Sequence, residues 1–146
     1  MVFLSDVIPT AYWSVKHSGV KKGDTVIILG SGPIGLMAQK FAWLEGATRV
    51  IAVDEVPHRL EHGKKTNKVE TYNFAENPEI GQLLYDQTNG GADVIIDCVG
   101  MDGTVPKGEP HGSEHDNQFG TIQPIITASQ SVRKFGTVQI LSLIHI

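Results

Sequence analysis

Apolar residues along the chain follow two patterns. Continuous runs at 26–29, 50–53 and 94–96 are rich in β-branched residues and read as strands covered on both faces. Between them, apolar residues recur every three or four positions, the spacing of an amphipathic helix. Ile8, Ala11, Tyr12 and Val15 predict a first helix, with Ser5 and Asp6 as capping types and Pro9 in its early part. Ser18-Gly19 and Lys21-Lys22-Gly23-Asp24 end it in a turn. A strand over 25–29, a helix over 34–45 stopped by Gly46, and a strand over 49–53 follow. Pro57 opens a shorter helix, weakened by Gly63 and broken near Asn67, and Glu70-Thr71-Tyr72-Asn73-Phe74 alternates as a short strand. Pro78 opens a helix carrying Ile80, Leu83, Leu84 and Tyr85, which Asn89-Gly90-Gly91 ends. A strand over 92–97, a helix over 122–132 and a strand over 136–140 complete the pattern. Strands alternating with helices predict an α/β fold: a single Rossmann-type domain with a doubly wound parallel sheet.

The junction after the first strand carries the chemistry. Gly30-Ser31-Gly32-Pro33-Ile34-Gly35 is a G-x-G-x-x-G turn set between a strand and a helix. Gly30 permits the tight turn, Gly32 lets a pyrophosphate approach the backbone, and Gly35 lets the helix sit close to the strand. Pro33 suits the first helical turn, whose unpaired N–H groups favour an anion. Asp54 ends the second strand 19 residues past Gly35, near the spacing of the acid that binds an adenosine ribose. That carboxylate repels a 2′-phosphate, so NAD is expected over NADP. Arg59 lies near it, on a solvated face or beside the adenine. Val99 and Gly100 leave a strand at its carboxyl end and are expected to border the nicotinamide ribose.

Composition narrows the class. The 146 residues suffice for one domain, 40% are apolar and 19% charged, and the net charge of −4 gives no basic footprint for nucleic acid. No apolar run is long enough to span a bilayer, and no signal segment opens the chain. Cys98 is the only cysteine, so a reducing, cytoplasmic location is the expectation, with Cys98 a buried, inert thiol. Residues 101–120 are rich in glycine, histidine and acids and read as a surface insertion. Within it, His111-Gly112-Ser113-Glu114-His115 spells a zinc-protease motif, but Pro110 and Gly112 oppose the helix which that chemistry needs. His58 and His62 share i,i+4 spacing on a weak, exposed helix.

The glycine turn, Asp54, Arg59-Leu60 and Gly91-Ala92-Asp93-Val94-Ile95-Ile96-Asp97-Cys98-Val99-Gly100 resemble the zinc-dependent alcohol dehydrogenases of the medium-chain superfamily. Leu4-Ser5-Asp6-Val7-Ile8-Pro9-Thr10 resembles their formaldehyde-dehydrogenase-like branch. The resemblance implies that Asp6 holds the third position of a catalytic zinc, where cysteine is more usual, and that Thr10 acts beside the nicotinamide. It implies hydride transfer between NAD and an alcohol or hydrated aldehyde, in a homo-oligomer.

The resemblance covers the cofactor domain alone. Residues 1–22 correspond to a linking helix and 23–141 to the NAD-binding domain, while the family's catalytic domain, with its further zinc ligands, is not in the chain. The expectation is therefore a fragment that binds NAD without turnover, leaving an apolar flank around Val7, Ile8 and Trp13 exposed. The last six residues, Leu141-Ser142-Leu143-Ile144-His145-Ile146, also spell the translation of CTG TCT CTT ATA CAC ATC, a transposase adapter, and 142–146 are expected to be read-through. A non-enzymatic NAD-sensing module is the alternative. A methyltransferase also places an acid after its second strand, but Pro33 and the run into Gly100 favour a dehydrogenase.

Overall fold

The β-branched runs form the centre of a five-stranded parallel sheet. The computed structural model describes residues 4–99 and 122–141; the 101–120 insertion, with its histidine motif, and residues 142–146 lie outside them. In chain order the elements are α1 (Val7–His17), β1 (Thr25–Leu29), α2 (Pro33–Leu44), β2 (Arg49–Asp54), α3 (Pro57–Asn67) and β3 (Glu70–Asn73). A 3-10 turn (Phe74–Glu76) then leads to α4 (Ile80–Gln87), β4 (Ala92–Asp97), α5 (Gln123–Ser131) and β5 (Val132–Ile140). The strand order is β3-β2-β1-β4-β5. The chain thus winds outward from β1 to one side, then returns to β4 on the other, which puts a topological switch point between β1 and β4.

Alternation within each strand divides the core into two layers. Val26, Ile28, Val50, Ala52, Val94 and Ile96 face Ala11 and Val15 of α1 and Ala38 and Ala42 of α2. Ile27, Leu29, Ile51, Val53 and Ile95 face Ile80 and Leu84 of α4 and Ala128 of α5. Small residues on α1 and α2 let those helices approach the sheet. Fully burying each large aliphatic side chain contributes about 1.5–3 kcal/mol.

Three elements differ from the sequence pattern. In α3, which ends at Asn67 as the pattern predicts, Gly63 has a use the pattern does not show: a Cβ there would lie 2.9 Å from Gln39 Oε1, so glycine admits the helix against α2. The helix expected from Pro78 begins at Ile80, after a 3-10 turn capped by the Asn73 side chain, which accepts from the Ala75 N–H at 3.0 Å. The last strand begins at Val132, straight after α5, rather than at 136. Val132 pairs with Ala92, whereas Thr137 pairs with Val94, so residues 133–136 bulge out of register. Phe135 sits there at φ 63° and is 91% exposed.

Of the flank expected to be exposed, Trp13 is 53% exposed and stacks on His17, while Val7 and Ile8 are half-buried. No helix among the described residues is long and apolar enough to cross a membrane.

Candidate functional site

The register of the sheet brings the site together. Leu29 pairs with both Val53 and Asp97, so β1, β2 and β4 reach the carboxyl edge within one residue of one another. The residues one step further, Gly30, Asp54 and Cys98, therefore emerge side by side at the carboxyl edge.

Gly30 turns the chain at φ 86°, and a Cβ there would lie 3.1 Å from the Cys98 carbonyl. Gly35 is tighter still. A Cβ would come within 2.0 Å of the Gly30 carbonyl oxygen, so only glycine lets the first turn of α2 fold back over the strand end. Gly32 is different in kind. Its φ of −71° suits any residue, and a Cβ would meet nothing within 4 Å. Packing does not require glycine here; the bare backbone faces open space. Gly32 is the N-cap of α2 and Pro33 its first residue, so the helix presents its N-terminal N–H groups at that opening. Ile34 is half-buried and packs against the α1–α2 core layer.

Asp54 is the charged group at this turn. It is only 6% exposed, yet both of its oxygens are bonded: Oδ2 accepts from the Ser31 N–H at 2.6 Å and Oδ1 from the Val56 N–H at 2.8 Å. The carboxylate is thus fixed by the glycine turn on one side and by the entry to α3 on the other. Its remaining lone pairs can accept hydroxyl protons. Arg59 Nη1 lies 4.0 Å from Oδ2, and its side chain is about half exposed, so it can move towards a ligand.

A cleft of about 340 Å³ opens between the turn and α3, lined by Ser31, Gly32, Pro33, Leu36, His58, Arg59 and His62. Leu36 reaches the cleft from α2, and His58 and His62, which the pattern puts on a weak, exposed helix, reach it from α3. Their i,i+4 spacing is the signal that could have set both histidines on the side of α3 facing the turn.

At the far side of the turn, Val99 donates its N–H to Asp97 Oδ1 at 3.0 Å. Burial raises the Asp97 pKa above the usual carboxylate range, and this N–H bond opposes the shift. Burial, then the neighbouring Asp97 charge, pushes the Cys98 thiol upward, so it is a poor nucleophile although the residue as a whole is half-buried. Gly100 lies outside the described residues.

Asp6 and Thr10 form a separate pair at the start of α1. Asp6 makes no side-chain capping bond; instead its Oδ1 accepts from Thr10 Oγ1 at 2.9 Å, one turn along. Neither lines the cleft. No group of three His, Cys, Asp or Glu side chains placed to hold a metal occurs among the described residues. A catalytic zinc takes about three protein ligands. These residues by themselves therefore do not fit a zinc centre, whereas the bare Gly32 backbone and the α2 N-terminus face open space that an anionic group can enter, with Asp54 joined to them through the Ser31 N–H although it does not itself line the cleft.

A parallel sheet with this strand order, a glycine turn and a buried acid at the end of β2 define a Rossmann-type α/β domain. Residues 33–108 match the zinc-binding dehydrogenase family, and the chain belongs to it. It is 55% identical over 137 residues to the uncharacterized zinc-type alcohol dehydrogenase-like protein AdhB of Bacillus subtilis, covering 94% of this chain and 36% of that protein. The alcohol dehydrogenase TADH from Thermus sp. ATN1 superposes with a TM-score of 0.78 at 25% identity, over 99% of this chain and 36% of that one. A Sinorhizobium meliloti 1021 structure solved with NADP bound superposes with a TM-score of 0.68 at 26% identity, over 94% and 36%. The chain thus spans little more than a third of the length of each of these proteins.

Proposed function

We propose that this chain is the cofactor-holding domain of a zinc-dependent alcohol or aldehyde dehydrogenase and that it binds NAD in preference to NADP. The observation that carries the reading is Asp54, a buried carboxylate held at the end of β2 by the Ser31 and Val56 N–H groups. The cofactor, when bound, supplies the nicotinamide that exchanges hydride with the substrate. The residues of this chain hold it. Gly32 and the first turn of α2 receive the pyrophosphate, Asp54 accepts the adenosine ribose hydroxyls, and Arg59 closes over the adenosine side. Val99 and Gly100 border the nicotinamide ribose.

Zinc enters as a property of the whole enzyme. In an intact enzyme Asp6 would be one of several zinc ligands, the others coming from elsewhere, and Thr10, bonded to Asp6, would help to orient the nicotinamide. An aspartate here, in Leu4-Ser5-Asp6-Val7-Ile8-Pro9-Thr10, favours the formaldehyde-dehydrogenase-like branch. The substrate is then a small alcohol or hydrated aldehyde. Membership of the dehydrogenase family favours this reading over a non-enzymatic NAD sensor.

Calorimetry of the unmutated chain and Asp54→Ala with both cofactors tests the reading. The unmutated chain should prefer NAD⁺, and the variant should lose about tenfold or more of that preference as the repulsion of a 2′-phosphate disappears. Equal affinities in the unmutated chain would defeat it.

A further inference from the structure

Beneath the glycine turn lies a relay of buried amides that the proposed cofactor contacts do not use. Ser31 stands between the two glycines with its side chain turned inward, 0% exposed. Its Oγ accepts from Gln39 Nε2 at 3.3 Å, and Gln39 is itself 0% exposed. Gln39 Oε1 accepts from Asn67 Nδ2 at 2.8 Å, and the same Asn67 amide donates to the Leu36 carbonyl at 2.9 Å. The Asn67 backbone carbonyl accepts from Trp43 Nε1 at 2.9 Å.

The relay has a fixed direction. A backbone carbonyl can only accept, so Leu36 sets which end of the Asn67 side chain is the amide nitrogen. Asn67 then presents that nitrogen to Gln39, which turns the Gln39 oxygen towards α3 and its nitrogen towards Ser31. Gly63 leaves room for this, since a Cβ would crowd the Gln39 oxygen. Burying an amide costs free energy unless it is bonded, and an apolar pair would fill the same space without that cost. What the amides add is orientation. Ser31 is tied on its side-chain face to Gln39 and through its N–H to Asp54, so neither end of the turn can roll.

We propose that Gln39 and Asn67 are positioning residues for pyrophosphate binding, acting through Ser31 on the backbone of Gly32. The proposal rests on the reading that this cleft holds an adenine dinucleotide.

The test is binding of NAD⁺, ADP and adenosine to the full chain, followed by NMR titration, in Gln39→Met, Asn67→Leu, Ser31→Ala and the Gln39→Met/Ser31→Ala double variant. Losing one directed hydrogen bond should weaken NAD⁺ and ADP about tenfold. Adenosine should change less than about twofold, because Asp54 keeps its Val56 bond, and a generally loosened fold would not produce this split. The double variant should bind no more weakly than the worse single one. Ser31→Ala deletes only a hydroxyl and carries the test if a larger substitution unfolds the chain. Folded variants with unchanged ADP affinity, or with equal losses for ADP and adenosine, would overturn the proposal. An unmutated chain that binds neither NAD⁺ nor ADP would instead remove the cofactor reading, and the proposal with it.

Discussion

Gly32 and Gly35 stand three residues apart in one motif, and the structure gives them opposite reasons to be glycine. At Gly35 a methyl group would lie 2.0 Å from the Gly30 carbonyl oxygen and 2.9 Å from its carbon. Both atoms are backbone, so relief requires the strand end or the helix to move. Overpacking of this kind costs typically about 1–3 kcal/mol and sometimes more. Alanine regains up to about 1 kcal/mol of helix propensity. We expect Gly35→Ala to lose a net 2 kcal/mol or so, roughly a 5 °C fall in Tm for a chain of this size.

At Gly32 the same methyl group meets nothing within 4 Å and φ is −71°. Lower unfolded-state entropy contributes about 0.4–1 kcal/mol in favour of alanine, and its poorer N-capping costs about as much. Stability should stay within about 0.5 kcal/mol, but the methyl group occupies the space we assign to the pyrophosphate. NAD⁺ affinity should fall at least about tenfold. Thermal unfolding by circular dichroism and calorimetric titration of both variants read the two effects separately. A Gly32→Ala protein that binds NAD⁺ normally would show that the pyrophosphate does not lie against Gly32, and a Gly35→Ala protein with an unchanged Tm would show that the turn has room for a side chain.

Two further outcomes follow from the strand end beside the turn. Burial raises the folded-state pKa of Asp97, so ionising it penalises the folded state. That penalty is absent below the unfolded carboxylate pKa of about 3.9, grows as pH rises and is complete above the folded pKa. Asp97→Asn should therefore be more stable than the unmutated chain at pH 7, with the gap closing below about pH 4 in urea titrations; a less stable variant at pH 7 would contradict this. The Cys98 thiol, raised by burial and by Asp97, should react with an aromatic disulfide reagent at pH 8 at least about a hundredfold more slowly in the folded than in the unfolded chain. Equal rates would show an exposed thiolate.

The parts of the site that sequence reveals are those whose physics is local. Gly30 and Gly35 are demanded by a turn a few residues long, and Asp54 by the length of one helix and one strand, so spacing alone locates them. Features that join distant segments are silent in the pattern. Gln39 looks like a polar interruption of a helix and Asn67 like a helix breaker, until folding places their amides 2.8 Å apart. Gly63 reads as a weak point in α3 because nothing nearby in sequence shows the Gln39 side chain across from it. The start of β5 at Val132 was hidden for the same reason: it depends on pairing with Ala92, forty residues earlier. Asp6 read as a helix cap from its residue type, whereas its carboxylate is taken by Thr10.

The central claim is that one edge of this sheet holds an adenine dinucleotide across Gly32 and Asp54. The most direct measurement is a ¹⁵N-resolved NMR titration of the whole chain with NAD⁺. Saturable shifts are expected to concentrate in the Gly30, Ser31, Gly32, Ile34 and Gly35 amides, with Asp54, Val56, Arg59 and Val99 following at the same midpoint and α4 and β5 unmoved. Shifts confined to other surfaces, or none at millimolar NAD⁺, would contradict it.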